Sequence, residues 1–157
     1  MNRRSFLTTG AAATAALATD FVAAKESPAV VRCGMIGTGG RGTSLLQTLL
    51  LFPQVEVRAV CDLVRERAEQ AASLVEKKNN GRPAVYAGSA SEWEALVNRA
   101  DIDAVVIATP WEWHARMAVG AMRAGKYPGV EVPAAITLDE CWDLVRTSEQ
   151  TGVPCMM

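Results

Sequence analysis

The stretch Met35-Ile36-Gly37-Thr38-Gly39-Gly40-Arg41-Gly42 closes an apolar run and sets Gly37, Gly39 and Gly42 in a G-x-G-x-x-G spacing, with Asp62 twenty residues beyond the last glycine. Such a triplet is informative when a strand leads into it and a helix leaves it. Residues 30–36 read as a buried parallel strand, 41–51 as a helix, and 55–61 as a second strand that ends on Asp62. The unit therefore reads as a dinucleotide site. Gly37 permits the tight turn, Gly39 lets backbone amides approach a pyrophosphate, and Gly42 lets the helix pack close to the sheet. Thr38, Gly40 and Arg41 complete the loop, at a helix N-terminus whose free N–H groups face the phosphates. An aspartate closing the second strand accepts from the adenosine ribose hydroxyls and repels a 2′-phosphate, so the pattern selects NAD(H) over NADP(H).

Upstream of this unit, Arg3-Arg4-Ser5-Phe6-Leu7 heads a mildly apolar stretch rich in Ala and Thr, and Val22-Ala23-Ala24 offers small residues for cleavage. Residues 1–24 read as a twin-arginine export signal, too short and too weakly apolar for a membrane span. The expected location is periplasmic or secreted, with residues 25–157 as one cofactor domain. The chain carries 16 basic and 17 acidic residues and is 50% apolar. That balance creates no field to attract nucleic acid or an acidic membrane, and the apolar content suffices for one core. Cys33, Cys61, Cys141 and Cys155 are scattered singly, with no C-x-x-C and no histidine at ligand spacing. Buried free thiols are expected, and no metal site.

Downstream, residues 63–78 show helical spacing of Ala68, Ala71, Ala72 and Val75, broken by Asn79-Asn80-Gly81-Arg82-Pro83. A short strand follows at 84–86. Ser89 or Ser91, each with a glutamate three residues later, caps a helix through Val97. Residues 103–109 form the clearest buried strand, 111–125 a helix closed by Gly125, and 128–133 a fifth strand. Thr137 and Glu140 form a capping box for 138–151, and 153–157 begin a sixth strand. Strands alternating with helices make an α/β fold, a doubly wound parallel sheet of the Rossmann type, with its ligand crevice at the carboxyl ends of strands one and four.

The run Thr109-Pro110-Trp111-Glu112-Trp113-His114, with the glycine loop and Asp62 before it and Gly125-Lys126 after it, resembles the Gfo/Idh/MocA family of glucose–fructose oxidoreductases and inositol dehydrogenases. The resemblance covers residues 30–157. It implies an NAD-binding domain followed by a second domain, an open antiparallel sheet that forms the sugar pocket; that substrate domain is expected to be absent from this chain, which reads as an amino-terminal fragment that binds cofactor without turning over substrate. The family's usual strand-five motif is Glu-Lys-Pro, whose lysine lies near the nicotinamide and the substrate, whereas here it is Glu131-Val132-Pro133. The run from Glu131 through Cys141-Trp142 to Cys155-Met156-Met157 is similar to glycoside hydrolase family 109, the NAD-dependent α-N-acetylgalactosaminidases. That resemblance implies a redox-neutral cycle of oxidation, elimination, hydration and reduction on a sugar or glycoside. Export points the same way, since NAD is not replenished outside the cytoplasm. Two other readings stay open: a sugar oxidoreductase of the broader family, and a non-catalytic sugar- or nucleotide-binding protein in which Val132 marks lost chemistry.

Within this frame Glu131 is the candidate for a polar, catalytic contact on the nicotinamide and substrate side, against a strand-end carboxylate that merely orders backbone amides. His114 is the second catalytic candidate, beginning a helix beside the crevice within reach of substrate or nicotinamide ribose, against a packed histidine. Thr109, Pro110 and Trp111 complete the cofactor-binding set, with Trp113 beside them and Arg41 placed to approach phosphate or adenine. Self-association into a homo-oligomer is left open.

Overall fold

The computed structural model describes residues 30–79 and 81–157, so the export signal read at 1–24 lies outside the described residues. Among the described residues, strands β1 (Val31–Ile36), β2 (Val55–Asp62), β3 (Ala84–Ala87), β4 (Ala104–Ile107) and β5 (Tyr127–Val130) alternate with helices α1 (Gly40–Leu49), α2 (Arg65–Asn79), α3 (Glu92–Val97), α4 (His114–Arg123) and α5 (Leu138–Thr151). All strand pairs are parallel, in the order β3-β2-β1-β4-β5. The chain winds outward from β1 in one direction and from β4 in the other, and the reversal leaves a crevice over the carboxyl ends of those two strands.

Successive strand residues point to opposite faces, so a strand buried on both sides must be apolar at every position. In β1, Met35 joins a core with Leu46 of α1 and Ala71, Ala72 and Val75 of α2. Its neighbour Ile36 joins the opposite core, with Leu96 of α3 and Ala118 and Ala121 of α4, against which Leu144 of α5 packs. The alanines of α2, which marked a helical face in the sequence, are the residues that bring this helix onto the sheet. Gly34 plays the same part on the other face, where a Cβ would stand 2.6 Å from Leu96 Cδ2.

Several boundaries depart from the sequence reading. The sixth strand is reduced to one bridge, in which Met156 N–H donates to Pro128 O (2.9 Å) and Val130 N–H to Met156 O (2.8 Å); Pro154 has no N–H with which to extend a ladder. Strand five ends at Val130, with the Val132–Pro133 bond cis. The fourth helix opens with a 3₁₀ turn at Trp111–Trp113 before α4 begins. No serine capping box forms at α3, because the Ser89 and Ser91 hydroxyls bond each other (3.0 Å) and the first amides go to the Ser89 and Ser91 carbonyls. The Thr137–Glu140 box does form, and the Glu140 carboxylate also accepts from Ile136 N–H (2.8 Å). All four cysteines are free thiols, but only Cys33 and Cys61 are buried and Cys141 is exposed. Among the described residues no helix is long and apolar enough to cross a membrane, and no His/Cys/Asp/Glu group could hold a metal ion.

Candidate cofactor site

The glycine loop is built by close approach. Gly37 sits at φ +86°, where L side chains are strained, and its N–H donates to Cys61 O at 2.8 Å. A Cβ on Gly42 would fall 1.9 Å from Gly37 O, so the start of α1 can lie against the loop only without a side chain there. At Gly39, in contrast, the single atom within 4 Å of a Cβ position is Arg67 Nη1, at 3.9 Å. The loop is therefore closed beneath and open above. Gly39 is also the N-cap of α1 and provides no side-chain cap, which leaves the first-turn amides for an external acceptor.

Asp62 terminates β2 beside this loop and is 9% exposed. Its Oδ2 accepts from Thr38 N–H (2.7 Å) and Thr38 Oγ1–H (3.1 Å), and its Oδ1 accepts from Val64 N–H (2.9 Å). A carboxylate has about four lone-pair positions, so some acceptor capacity remains for a ribose hydroxyl. Asp62 thus has two jobs, holding the loop and facing the cleft. That cleft, of about 420 Å³, runs from the glycine loop over Asp62 to the start of α3 and the β4–α4 turn.

The cleft collects part of the predicted set. Gly37, Gly39, Asp62, Thr109 and Pro110 line it. Thr38 is buried beneath, held by Asp62, and Gly42 acts through packing. Arg41, read in the sequence as placed to approach phosphate or adenine, does not line this cleft. Its Nε and Nη2 reach Glu131 Oε1 at 2.8 and 2.7 Å, tying the start of α1 to the residue after β5. That guanidinium holds the Glu131 carboxyl below the usual carboxylate range. Trp111 is 62% exposed and outside the cleft wall, whereas Trp113 is in the wall with the Arg116 guanidinium over its ring at 5.3 Å.

His114 is 1% exposed, and both ring nitrogens meet backbone carbonyls: Nδ1 with Pro133 O at 2.7 Å, and Nε2 with Thr109 O at 2.8 Å. No ring nitrogen is left for a substrate. The geometry corrects the catalytic assignment of this side chain: it pins the turn after β4 to the turn after β5, as a packed histidine would.

Other cleft residues escaped the sequence reading. Leu63 and Val64, exposed beside Asp62, wall one side, and Trp93 and Met117 the other. Trp93 is buried with no partner for its indole N–H among the described residues, and its ring fits against α4 because Gly120 has no Cβ, which would stand 2.7 Å from Cζ3. Cys61 also lines the cleft, but burial and the Asp62 carboxylate push its thiol up to about 12, so it is no nucleophile at neutral pH.

A sequence profile described as an oxidoreductase family with an NAD-binding Rossmann fold, Gfo/Idh/MocA, matches residues 31–157. The chain belongs to the Gfo/Idh/MocA family. Among its relatives is a protein named alpha-N-acetylgalactosaminidase from Shewanella oneidensis, 44% identical over 82% of this chain and 28% of the relative. A glycosyl hydrolase family 109 protein from Shewanella baltica (strain OS155) is 39% identical over the whole chain and 39% of the relative. Among solved structures, a myo-inositol dehydrogenase described as putative, from Sinorhizobium meliloti, aligns with a TM-score of 0.71 at 27% identity, over 81% of this chain and 35% of that one. A 3-ketoreductase from Actinomadura kijaniata, solved with NADP, aligns at 0.68 and 26% identity, over 81% and 36%. The chain spans 28% and 39% of the length of those two Shewanella relatives. For this Gfo/Idh/MocA domain NAD is the cofactor, and the residues fit it: an uncapped helix N-terminus, an open face over Gly39 and an acidic side chain at the ribose position.

Proposed function

We propose that this domain is the cofactor half of an exported glycosidase acting on an α-N-acetylgalactosaminide-type substrate by a redox-neutral cycle. The observation that carries the reading is Val132. It follows Glu131 at the end of β5 and is 61% exposed, in the place where the resembled dehydrogenases have a lysine. An apolar side chain there supplies neither acid nor base to a net oxidation. The name of the Shewanella oneidensis relative supports the same substrate class. Bound NAD supplies reversible hydride transfer, which lets an exported enzyme turn over without fresh cofactor.

The chain's own residues divide the remaining work. The amides of Gly39 and Gly40 would hold the diphosphate, and Asp62 would take the adenosine ribose. Glu131, kept ionised by Arg41, presents a carboxylate toward the substrate side. Its Oε2 has no side-chain partner among the described residues. His114 holds the β4 and β5 turns in register beneath it. Export rests on the twin arginines and small-residue cleavage site at residues 1–24.

A second reading, a sugar oxidoreductase, is favoured by the dehydrogenase and ketoreductase names of the structural neighbours. Product analysis on a longer protein that carries the region following this domain in its relatives separates the readings. Free sugar with no net NADH supports the glycosidase, a ketone or lactone with NADH the oxidoreductase, and neither product a sugar- or nucleotide-binding protein.

A further inference from the structure

Among the described residues, Arg67 is the cation that lines the cofactor cleft without a partner. It lies in the first turn of α2, where the helix macrodipole disfavours positive charge and Glu66 is the only acid. Arg41 is engaged by Glu131, and Arg65 donates to the Ala87 carbonyl at 3.2 Å. The Arg67 guanidinium makes no hydrogen bond or ion pair among the described residues, Asp62 included, although both line the cleft. Its Nη1 stands 3.9 Å from the Cβ position of Gly39, at the open face of the loop. The Gly39 and Gly40 amides would hold a diphosphate at this same open face. An arginine with no partner among the described residues, beside an uncapped helix N-terminus, is placed to meet a phosphate.

We infer that Arg67 is a cofactor-binding residue that meets the diphosphate at the open face of the glycine loop. The inference rests on the NAD site alone and is the same whether the whole protein is a hydrolase or an oxidoreductase. The guanidinium carries no bond among the described residues, so Arg67→Ala does not lower the melting temperature of the unliganded chain and, by removing a cation from the first turn of α2, raises it slightly if at all. A charge-assisted contact of this kind corresponds to about a tenfold change in affinity.

The test is calorimetric titration of the full chain with NAD and with NADP at low and high salt. Arg67→Ala is expected to weaken both dinucleotides by about tenfold and to flatten the salt dependence of NAD binding. Arg67→Lys should recover part of the loss, and Arg67→Glu should bind more weakly than Arg67→Ala. A loss confined to NADP would assign Arg67 to the 2′-phosphate and overturn the inference. So would a loss with unchanged salt dependence, which would mean packing against the base, or unaltered affinity in Arg67→Ala. Failure of the parent chain to bind NAD would overturn the inference together with the cofactor site, whereas failure of the glycosidase reading would leave it standing.

Discussion

Asp62 and Thr38 are joined twice through one carboxylate oxygen, which takes both the Thr38 amide at 2.7 Å and its hydroxyl at 3.1 Å. The residue proposed to take the ribose therefore also holds the glycine loop, and the two roles separate by substitution. Asp62→Ala should weaken NAD binding by roughly ten- to a hundredfold and lower folding stability by about 1–3 kcal/mol, because the Thr38 N–H loses its acceptor. Asp62→Asn keeps an acceptor for Thr38 and removes the charge, so it should recover much of the stability while shifting preference toward NADP. Calorimetric titration with both cofactors and thermal unfolding check this. An unchanged NAD-to-NADP ratio in Asp62→Asn would show that the carboxylate does not select the cofactor.

Gly42 and Gly40, separated only by Arg41, should respond differently. A Cβ at Gly42 meets Gly37 O at 1.9 Å, whereas one at Gly40 has nothing within 4 Å. Gly42→Ala should force the loop off α1, costing about 1–3 kcal/mol and abolishing NAD binding at micromolar concentrations. Gly40→Ala should leave thermal stability unchanged or slightly raised, since alanine suits a helix start better than glycine. Comparable melting temperatures for the two variants would refute the steric account.

At the opposite end of the sheet, Arg32 binds Asp103 through its backbone N–H, Nε and Nη2 at 3.0, 2.9 and 2.5 Å. This holds the Asp103 carboxyl down to about 2. Because the folded value lies below the unfolded one, the stabilisation is complete above about pH 4 and is lost as pH falls toward 2. Both side chains are partly exposed, at 39% and 32%, so solvent screening keeps the contribution small. Asp103→Asn should lower stability at pH 7 and flatten its decline between pH 4 and 2, as followed by urea denaturation at several pH values.

The Glu131–Arg41 pair bears on the proposed chemistry in the longer protein. Glu131→Gln should lower turnover several-fold with cofactor still bound, since it removes charge at the substrate side and leaves the glycine loop intact. Val132→Lys should not improve hydrolysis and should impair it, by setting a cation against the cationic nicotinamide ring of NAD⁺. Wild-type turnover in Glu131→Gln would reduce Glu131 to a partner for Arg41. A large gain of sugar oxidation in Val132→Lys would favour the oxidoreductase.

The winding of the sheet was legible in the sequence because its signals are local. Apolar runs of strand length, the glycines at 37, 39 and 42, the small face of α2 and the Thr137–Glu140 cap each involve residues close in the chain, and the first five strands, the glycine turn, that helix face and the cap all form. Ends were less legible. Whether 153–157 made a strand depended on what β5 could pair with, and whether Ser89 or Ser91 capped α3 depended on the two hydroxyls meeting each other.

Side-chain roles required tertiary structure, because they arise between residues far apart in sequence. A lone histidine at a helix start looks available until Pro133 and Thr109 are brought to its two nitrogens, and Arg41 looks like a phosphate ligand until Glu131 is folded beside it. Arg67 gave no signal as one charge among many in an amphipathic helix; the fold sets it beside Gly39 with no partner among the described residues. Sequence determined that this chain makes a dinucleotide crevice, since strand period and glycine spacing dictate backbone path. Which polar groups remain free to act in that crevice was decided by packing, since a donor or acceptor is available only when no neighbour across the fold has satisfied it.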